Sequence, residues 1–546
     1  MKPKILIIGL DAATLDLIEP WAREGHLPAL TRLMREGASG RLQSTPNMHS
    51  ASAWTSILTG LNPGRHGLFV FSDRDFATGE QVFFKGGDRA GEIISSHLAR
   101  NGLTSGLLNV PMTYPATETQ GGFMVSGLDA PSLNERAFYP AELRDELLGE
   151  FPDYNFTPRG LGDLMRSGHL DEAIAAWVKL TDTQTAAAEY LLKSHPVHFF
   201  MTVYTASDWA GHNLWKYHDT THSEYNVAEA GRFGDAMLTI YRALDEAVER
   251  LVALADESAH IYVISDHGMG RHTGASYQVA AWLEDKGYMT RRERGTRASV
   301  VGASRRAARK LLPVGMRERI KAGLGEDRVK RIQSSDKDSF YASVDWKHTT
   351  AYSEPGRHVI NINLAGRNLN GIVSQADYGA VCERITEDLG RWTDSRGVRV
   401  VERVVRREEA YSQPFVARAS DLYIYWNPDA RLGEPPAEVK ARGFWWSGDH
   451  RPEGVLICKG PRVRQGISLK AASVYDVVPT VMHFADQSVP GDLDGQDVRE
   501  AATDAFLDVH PLEVDSKRAV VSDVSDDLSR EEEELMEAKL KSLGYL

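Results

Sequence analysis

Five short apolar runs punctuate the first 285 residues: KILIIGL, TSGLLNV, GGFMVSGL, HFFMTVYT and HIYVIS. Each is bounded by turn formers and reads as a strand buried on both faces. Between them lie longer segments in which apolar residues recur at three- and four-residue spacing, such as DEAIAAWVKLTDTQTAAAEYLLKSH and RFGDAMLTIYRALDEAVERLVALADES. That period places the apolar side chains on one stripe of a helix. Strands alternating with helices predict an α/β fold with a mostly parallel central sheet and helices on both faces. In such sheets ligands gather at the carboxyl ends of the strands.

The pattern breaks between 286 and 345. Residues 291–331 hold fourteen Lys or Arg against four Asp or Glu, and ASRRAARKLLPVGMRERIKAGL reads as a broken, basic amphipathic helix pair. An insertion that packs on the core with a solvated basic face explains it. So does a cap that attracts an anionic substrate or an acidic membrane surface. The α/β pattern resumes at about 346 with HVININLAGR, ASDLYIYWN, GVLICKGP and a helix in SVYDVVPTVMHFA. The expected organisation is a discontinuous catalytic core, 1–285 with 346–502, interrupted by the basic insertion 286–345. Residues 503–546 follow as an acidic, irregular connector and a docked terminal helix. That helix, LSREEEELMEAKLKSLGYL, opens with a Ser cap and a Glu-rich first turn.

Charge and cysteine content narrow the function. A net charge of −13 argues against nucleic-acid binding, which needs surplus Lys and Arg to displace counterions. A small anionic substrate stays possible, because a local metal charge outweighs the global field. Two cysteines exclude a disulfide scaffold, and Cys458, in the apolar GVLICKG, reads as a buried thiol. The opening MKPKILIIGLDAAT is too short for a signal peptide and ends in Asp without a cleavage site. No run approaches the roughly 20 apolar residues of a membrane helix. A cytoplasmic location is expected.

Seven residues offer metal-site chemistry: Asp11, Ser50, Asp208, His212, Asp266, His267 and His450. Three carboxylates, three imidazoles and one hydroxyl suffice for two divalent cations and a nucleophile. Asp11 closes the first apolar run, and Asp266-His267 ends another in SDHGMG, with Gly268 and Gly270 permitting the chain to curl there. Asp208 and His212 are four apart, one turn on one face of a helix, although an exposed carboxylate and a surface His give the same spacing. Ser50 precedes AWTSILTG, where a hydroxyl is most often an N-cap. Beside a metal it becomes a nucleophile, and Ser52, Thr55 and Ser56 compete for that role. His450 lies in the loop GFWWSGDHRPEG, where Asp449 either replaces it as ligand or orients it. Tyr114, Trp209, Trp215 and Tyr217 are available to stack on a base or sugar, or simply to pack.

Taken in order, IIGLDA, AWTSILTGLNPGRHG, NVPMTYP, ASDWAGH, ISDHGMG, GDHRPEGVLICKGP and YDVVPTVMHFADQSVPGDLDG resemble the alkaline phosphatase superfamily. Within it the chain is similar to the type I phosphodiesterase/nucleotide pyrophosphatase branch, and to a bacterial group of predicted phosphohydrolases or phosphomutases. The likeness covers roughly residues 3–500. It implies that Asp208, His212 and His450 hold one metal and that Asp11, Ser50, Asp266 and His267 hold the other. Ser50 would attack phosphorus in line, giving a covalent phosphoseryl intermediate that water releases. Three histidines favour zinc, with manganese the alternative.

The chain departs from that branch at two points. Ser50 stands where the branch carries Thr. Near Phe71 it lacks an Asn that binds a phosphate oxygen in that branch, so the orienting group either comes from elsewhere, with Asn109 in LLNVPMTYP the candidate, or is absent, which weighs against a nucleotide diester but not against hydrolysis.

The leading expectation is a metal-dependent phosphodiesterase acting on a small phosphate ester, such as a nucleotide or a lipid head group. A phosphomonoesterase or phosphomutase is the nearest rival, and a scaffold with a degenerate site is the remote one. No C/S-x-P-S-R motif supports a sulfatase.

Overall fold

The computed structural model describes residues 1–292, 340–433, 435, 436, 439, 446–515 and 527–543. The basic helix pair expected at 303–324 lies outside the described residues. All five apolar runs form strands of one nine-stranded sheet. Its order is Ile467–Leu469, Ala38–Gln43, Glu453–Lys459, His260–Ile264, Ile5–Leu10, Phe199–Tyr204, Ser105–Val110, Phe123–Ser126, Phe138–Tyr139. Only Glu453–Lys459 and Phe138–Tyr139 run against the rest. The sheet is therefore mostly parallel, as the alternation predicts.

Side chains alternate between its faces. Leu6, Ile8 and Leu10 pack under the helices Leu170–Ser194 and Ala236–Val252. Ile5 and Ile7 face Trp54, Ile57 and Val481 of the helices Ser50–Thr59 and Val477–Phe484. The strand Ala38–Gln43 escapes the apolar-run criterion. It alternates buried and partly exposed positions, ASGRLQ, and is stitched along its length to Glu453–Lys459.

Among the described residues, those between 346 and 446 do not join this sheet. Their strands Ala351–Tyr352, Val359–Ile362, Leu422–Trp426 and Val401–Arg406 pair antiparallel in a second sheet. That sheet has its own apolar cluster, which includes Ile360, Ile385, Leu389 and Ile424.

Within the stretch after 502, a short helix is described at Asp504–Val509. Thr503 caps it, and buried Phe506 packs edge-on against Phe484. The terminal helix Arg530–Leu543 docks as expected. It buries Met536 and Leu540 against Ala51, Leu68, Phe71 and Leu128. Among the described residues no helix is long and apolar enough to cross a membrane. Both cysteines are buried and unpaired.

Candidate metal centre and active site

Six of the seven residues sit at or just beyond the carboxyl ends of parallel strands, and the seventh reaches them on a ribbon. Asp11 follows Leu10 directly. Asp208 and His212 lie one turn apart on the helix Ala206–His218, which begins after Tyr204. Asp266 and His267 follow Ile264. Ser50 opens the helix Ser50–Thr59 at the exit of the Ala38–Gln43 strand. His450 pairs across from Met269 in a two-stranded antiparallel ribbon, Gly268–Arg271 with Gly448–Arg451.

Close backbone approaches draw these elements together. A Cβ on Gly9 would stand 2.5 Å from the Trp54 ring, so glycine there lets the Ser50 helix close on the Asp11 strand. A Cβ on Gly448 would stand 2.1 Å from the Gly211 carbonyl, so the ribbon carrying His450 lies directly on the helix carrying His212. Gly268 serves the same purpose rather than supplying a left-handed turn. A Cβ there would meet the Glu453 carbonyl at 2.1 Å.

The donors converge. Asp208, His212 and His450 offer ligand atoms within 4.8 Å of one another, and so do Asp11, Asp208 and His267. Asp208 thus stands between the two groups. Asp266 borders the second, its Oδ2 at 3.3 Å from His267 Nε2, while its Oδ1 accepts the Ala12 amide at 3.2 Å. Ser50 Oγ reaches Asp11 Oδ1 at 3.4 Å and His267 Nε2 at 3.2 Å. It is not the helix cap, because the His49 side chain takes that place by accepting from Ala51 N. The competing hydroxyls are engaged elsewhere. Ser52 bonds to the His49 carbonyl, Thr55 to the Ala51 carbonyl and Ser56 to His66.

A cation fits this donor set. Each of the three imidazoles sets Nδ1 against a backbone carbonyl: His212 on Gly448, His450 on Met48 and His267 on Gly268. Carbonyls only accept, so each Nδ1 carries the proton and each Nε2 is left to bind a metal. His212 Nε2 and His450 Nε2 stand 2.9 Å apart. Two bare lone pairs at that distance repel, so a proton or a metal ion must lie among them.

The carboxylates agree. Burial, then the charges of Asp266 and Asp208, push the Asp11 carboxyl well above its ordinary range. Burial pushes Asp266 to about 8, with Asp208 adding to it. Burial acts on Asp208 in the same direction, yet His212 and His450 hold it well below the usual value. Burial keeps His267 neutral, with a pKa well below that of an ordinary imidazole. Asp266 Oδ2 has no hydrogen-bond donor. Buried carboxylates in this condition need a compensating cation.

Other expected residues fall elsewhere. Asp449 does not orient the His450 imidazole. Its carboxylate is held by His358 at 2.9 Å and His272 at 3.5 Å. Asn109 sits near the end of its strand at φ 59, accepting from Tyr154, with a buried Nδ2 that lacks a partner. Among the described residues no hydrogen bond joins its side chain to any of the seven. The four expected aromatics are packing residues. Tyr114 bonds Glu532 of the terminal helix, Trp209 lies against Trp177, Trp215 is buried in the core and Tyr217 packs on Phe233.

The aromatics near the site are different ones. A cavity of about 320 Å³ beside His450 is lined by Phe69, Tyr277, Tyr341, Tyr423 and Trp446, together with Arg357. Trp446 also stacks on His212 at 3.8 Å between ring centres. Trp54, four residues after Ser50, donates to Asp11 at 2.9 Å. That spacing was visible in AWTSILTG. The carbonyl of Met48, presented from a left-handed conformation at φ 47, was not.

The family model described as type I phosphodiesterase/nucleotide pyrophosphatase matches residues 5–450. No curated protein matches the chain. Among solved structures, the chain is similar to human ectonucleotide pyrophosphatase/phosphodiesterase 5, at 12% identity over 92% of this chain and 100% of that one, TM-score 0.47. It is similar to phosphonoacetate hydrolase from Sinorhizobium meliloti in complex with phosphonoacetate, at 15% identity over 87% and 94%, TM-score 0.48. A third is wild-type alkaline phosphatase PafA, at 13% identity over 92% and 99%, TM-score 0.49.

Proposed function

We propose a function from one premise: the chain belongs to the type I phosphodiesterase/nucleotide pyrophosphatase family. It is an enzyme that hydrolyses phosphate esters. The finer reading is a metal-dependent phosphodiesterase in which Ser50 is the nucleophile. The observation that carries it is the position of Ser50 Oγ, within hydrogen-bond reach of both Asp11 and His267 at the head of a buried helix.

Asp208, His212 and His450 would hold one divalent cation, and Asp11, Asp266 and His267, with Ser50, the other. Such a pair supplies a lowered pKa at the hydroxyl and charge neutralisation at the phosphoryl oxygens. The protein's own groups do the rest. Ser50 Oγ has the Asp11 carboxylate in reach as a proton acceptor and attacks phosphorus from a helix N-terminus, whose amides favour an arriving anion. The bond from Oγ to phosphorus forms as the bond to the leaving oxygen breaks. Water then cleaves the bond from phosphorus to Oγ, releasing the phosphate monoester and restoring the Ser50 hydroxyl. Asp11 is fixed by Trp54 and Asp266 by the Ala12 amide, so neither has to reorganise. Three imidazoles favour zinc, and the carboxylates leave manganese as the alternative.

The test uses protein stripped by chelator and restored with zinc or manganese. Bis-p-nitrophenyl phosphate and p-nitrophenyl phosphate are offered side by side, and bound metal is counted. Two ions per chain and metal-dependent release of p-nitrophenol from the diester are expected. Restored protein that cleaves neither ester, or that binds no metal, would sink the proposal.

A further inference from the structure

Three functional groups come from three consecutive residues. The Met48 carbonyl accepts from His450 Nδ1 at 2.7 Å, the His49 side chain caps the helix Ser50–Thr59, and Ser50 carries the hydroxyl near Asp11 and His267. The turn that delivers them is Thr45–Met48. The Met48 amide closes it on the Thr45 carbonyl at 2.9 Å, with Pro46 at the position that favours proline. Met48 leaves the turn at φ 47, a conformation disfavoured for a residue with a Cβ. Such a residue persists only where its surroundings hold it.

Asn47 supplies the hold. Its Nδ2 donates to the Phe69 carbonyl at 2.5 Å. That carbonyl only accepts, which fixes the orientation of the amide and turns Oδ1 the other way. Oδ1 accepts from the Tyr411 hydroxyl at 3.1 Å and lies 2.9 Å from Ser52 Oγ. The single proton of Ser52 also has the His49 carbonyl in reach at 2.8 Å, and Thr45 Oγ1 touches the same hydroxyl at 3.0 Å. One side-chain amide thus ties the turn to the loop at Phe69, to the helix at Ser52 and to Tyr411.

Tyr411 brings in the other side of the cavity. It belongs to the apolar cluster of Val416, Ala419 and Tyr423, and its ring meets Phe69 and Tyr423 edge-on, at 5.3 and 5.4 Å between centres. Phe69, Tyr423 and Asn47 all line the cavity beside His450. The cavity wall and the turn are joined through Asn47.

We propose that Asn47 is a positioning residue for the reaction. It holds the turn so that Met48 aims His450 and Ser50 meets its neighbours, and Tyr411 acts through it. A neutral amide carries no proton here and fixes geometry alone. This rests on the reading of Ser50 and of the metal centre given above.

The experiment compares wild type, Asn47→Ala, Tyr411→Phe and the double variant in the full chain. Zinc binding to chelator-stripped protein is followed by calorimetry, and kinetics on bis-p-nitrophenyl phosphate are measured at saturating zinc. Of the three imidazoles only His450 rests on Met48, since His212 rests on Gly448 and His267 on Gly268. Asn47→Ala should therefore weaken one of two zinc ions by about 10–100-fold and leave the other near its wild-type affinity. At saturating zinc its kcat should fall by about 10–100-fold while KM stays put. Tyr411→Phe removes one hydrogen bond and keeps the ring, so kcat should fall by about 2–10-fold. In the Asn47→Ala background it should cost nothing more, because the two act as a unit.

Unchanged zinc affinity and kcat in Asn47→Ala overturn the proposal. So does equal weakening of both ions, or an additive loss in the double variant, since either makes Asn47 a general support of the fold. If Asn47→Ala does not fold, Tyr411→Phe decides alone, and an unchanged kcat in it refutes the assignment. Wild-type protein that binds two zinc ions yet cleaves no ester would defeat the reading of Ser50, while zinc affinity in Asn47→Ala would still decide the role of Asn47.

Discussion

Two of the regions of this molecule that bury carboxylates treat them in opposite ways. In the second sheet Asp421 is wholly buried and fully answered. Arg367 grips both its oxygens at 2.8 and 2.6 Å, Arg407 lies at 3.2 Å, the Tyr378 hydroxyl donates at 3.0 Å and the Ile362 amide at 2.6 Å. At the mouth of the large sheet Asp11 and Asp266 are equally buried, yet no guanidinium or ammonium pairs with either among the described residues. Their neighbours are imidazoles, an indole, an amide and other carboxylates. A buried charge costs several kcal/mol unless it is paired. The first arrangement closes on itself and stabilises a fold. The second is closed only by cations from outside, which makes it a place for chemistry.

The largest test of this contrast is Ser50→Ala. Turnover should fall by about 10⁴-fold or more, as for loss of a nucleophile. Metal content and thermal unfolding should stay close to wild type, because the hydroxyl is not the helix cap. A variant that keeps more than a tenth of wild-type activity would mean that another group attacks. Next is Asp421→Asn, which leaves Arg367 without a counter-charge and Arg407 with Glu408 alone. Denaturant unfolding should show a loss of about 3–5 kcal/mol, with two metal ions still bound. Loss of metal in that variant would mean that the regions are one structural unit, and the contrast would fail.

How much of this was legible in the sequence follows from the same distinction. The parallel strands were plain because each is buried on both faces, so KILIIGL or HFFMTVYT leaves no other reading. Ala38–Gln43 was hidden because its alternation, with Arg41 exposed, looks like a loop. Asp11, Asp208, Asp266 and His267 could be picked out because they follow apolar runs, where a strand should merely turn; His212 stood on its four-residue spacing from Asp208, and Ser50 and His450 stood on the resemblance. Arg357, on the cavity wall, could not be picked out. It precedes an ordinary strand of the second sheet, and only the packing of that sheet over His450 brings it to the cavity. Asp449 misled for a related reason: adjacency to His450 suggested an orienting partner, while strand alternation turns its carboxylate toward His358 and His272. The Met48 carbonyl that orients His450 depends on a single left-handed residue, and no side chain advertises it.

A finer test reverses the sign of the usual effect. Asp266→Asn keeps an oxygen to accept the Ala12 amide and removes the buried charge. In chelator at pH 9 this substitution should stabilise the protein by about 1–2 kcal/mol, since it deletes an unpaired charge. With metal present it should weaken metal binding and cut activity. If the substitution destabilises the metal-free protein, Asp266 is a structural carboxylate like Asp421. Differential scanning fluorimetry with and without metal reads both arms.

The smallest effect concerns a buried cation that stands between the two extremes. Lys539, on the terminal helix, donates to the Leu128 and Ala130 carbonyls and lies over the Phe156 ring. Burial pulls its pKa down to about 7, against the pull of Asp129. The unfolded chain keeps the proton up to about pH 10.4, so between about 7 and 10 the unfolded form binds more protons than the docked one. Stability of the docked helix must therefore rise with pH across that window, by at most about tenfold in its equilibrium constant per unit. Below about pH 7 both forms are charged and the slope vanishes. Amide exchange along Arg530–Leu543, expressed as protection factors corrected for intrinsic rates, should increase from pH 7 to 9. The increase should disappear in Lys539→Met, which keeps the apolar stem and cannot titrate. A flat profile in wild type would mean that the carbonyls around Lys539 satisfy it as fully as Arg367 and Arg407 satisfy Asp421, and that burial alone does not mark a charge as unanswered.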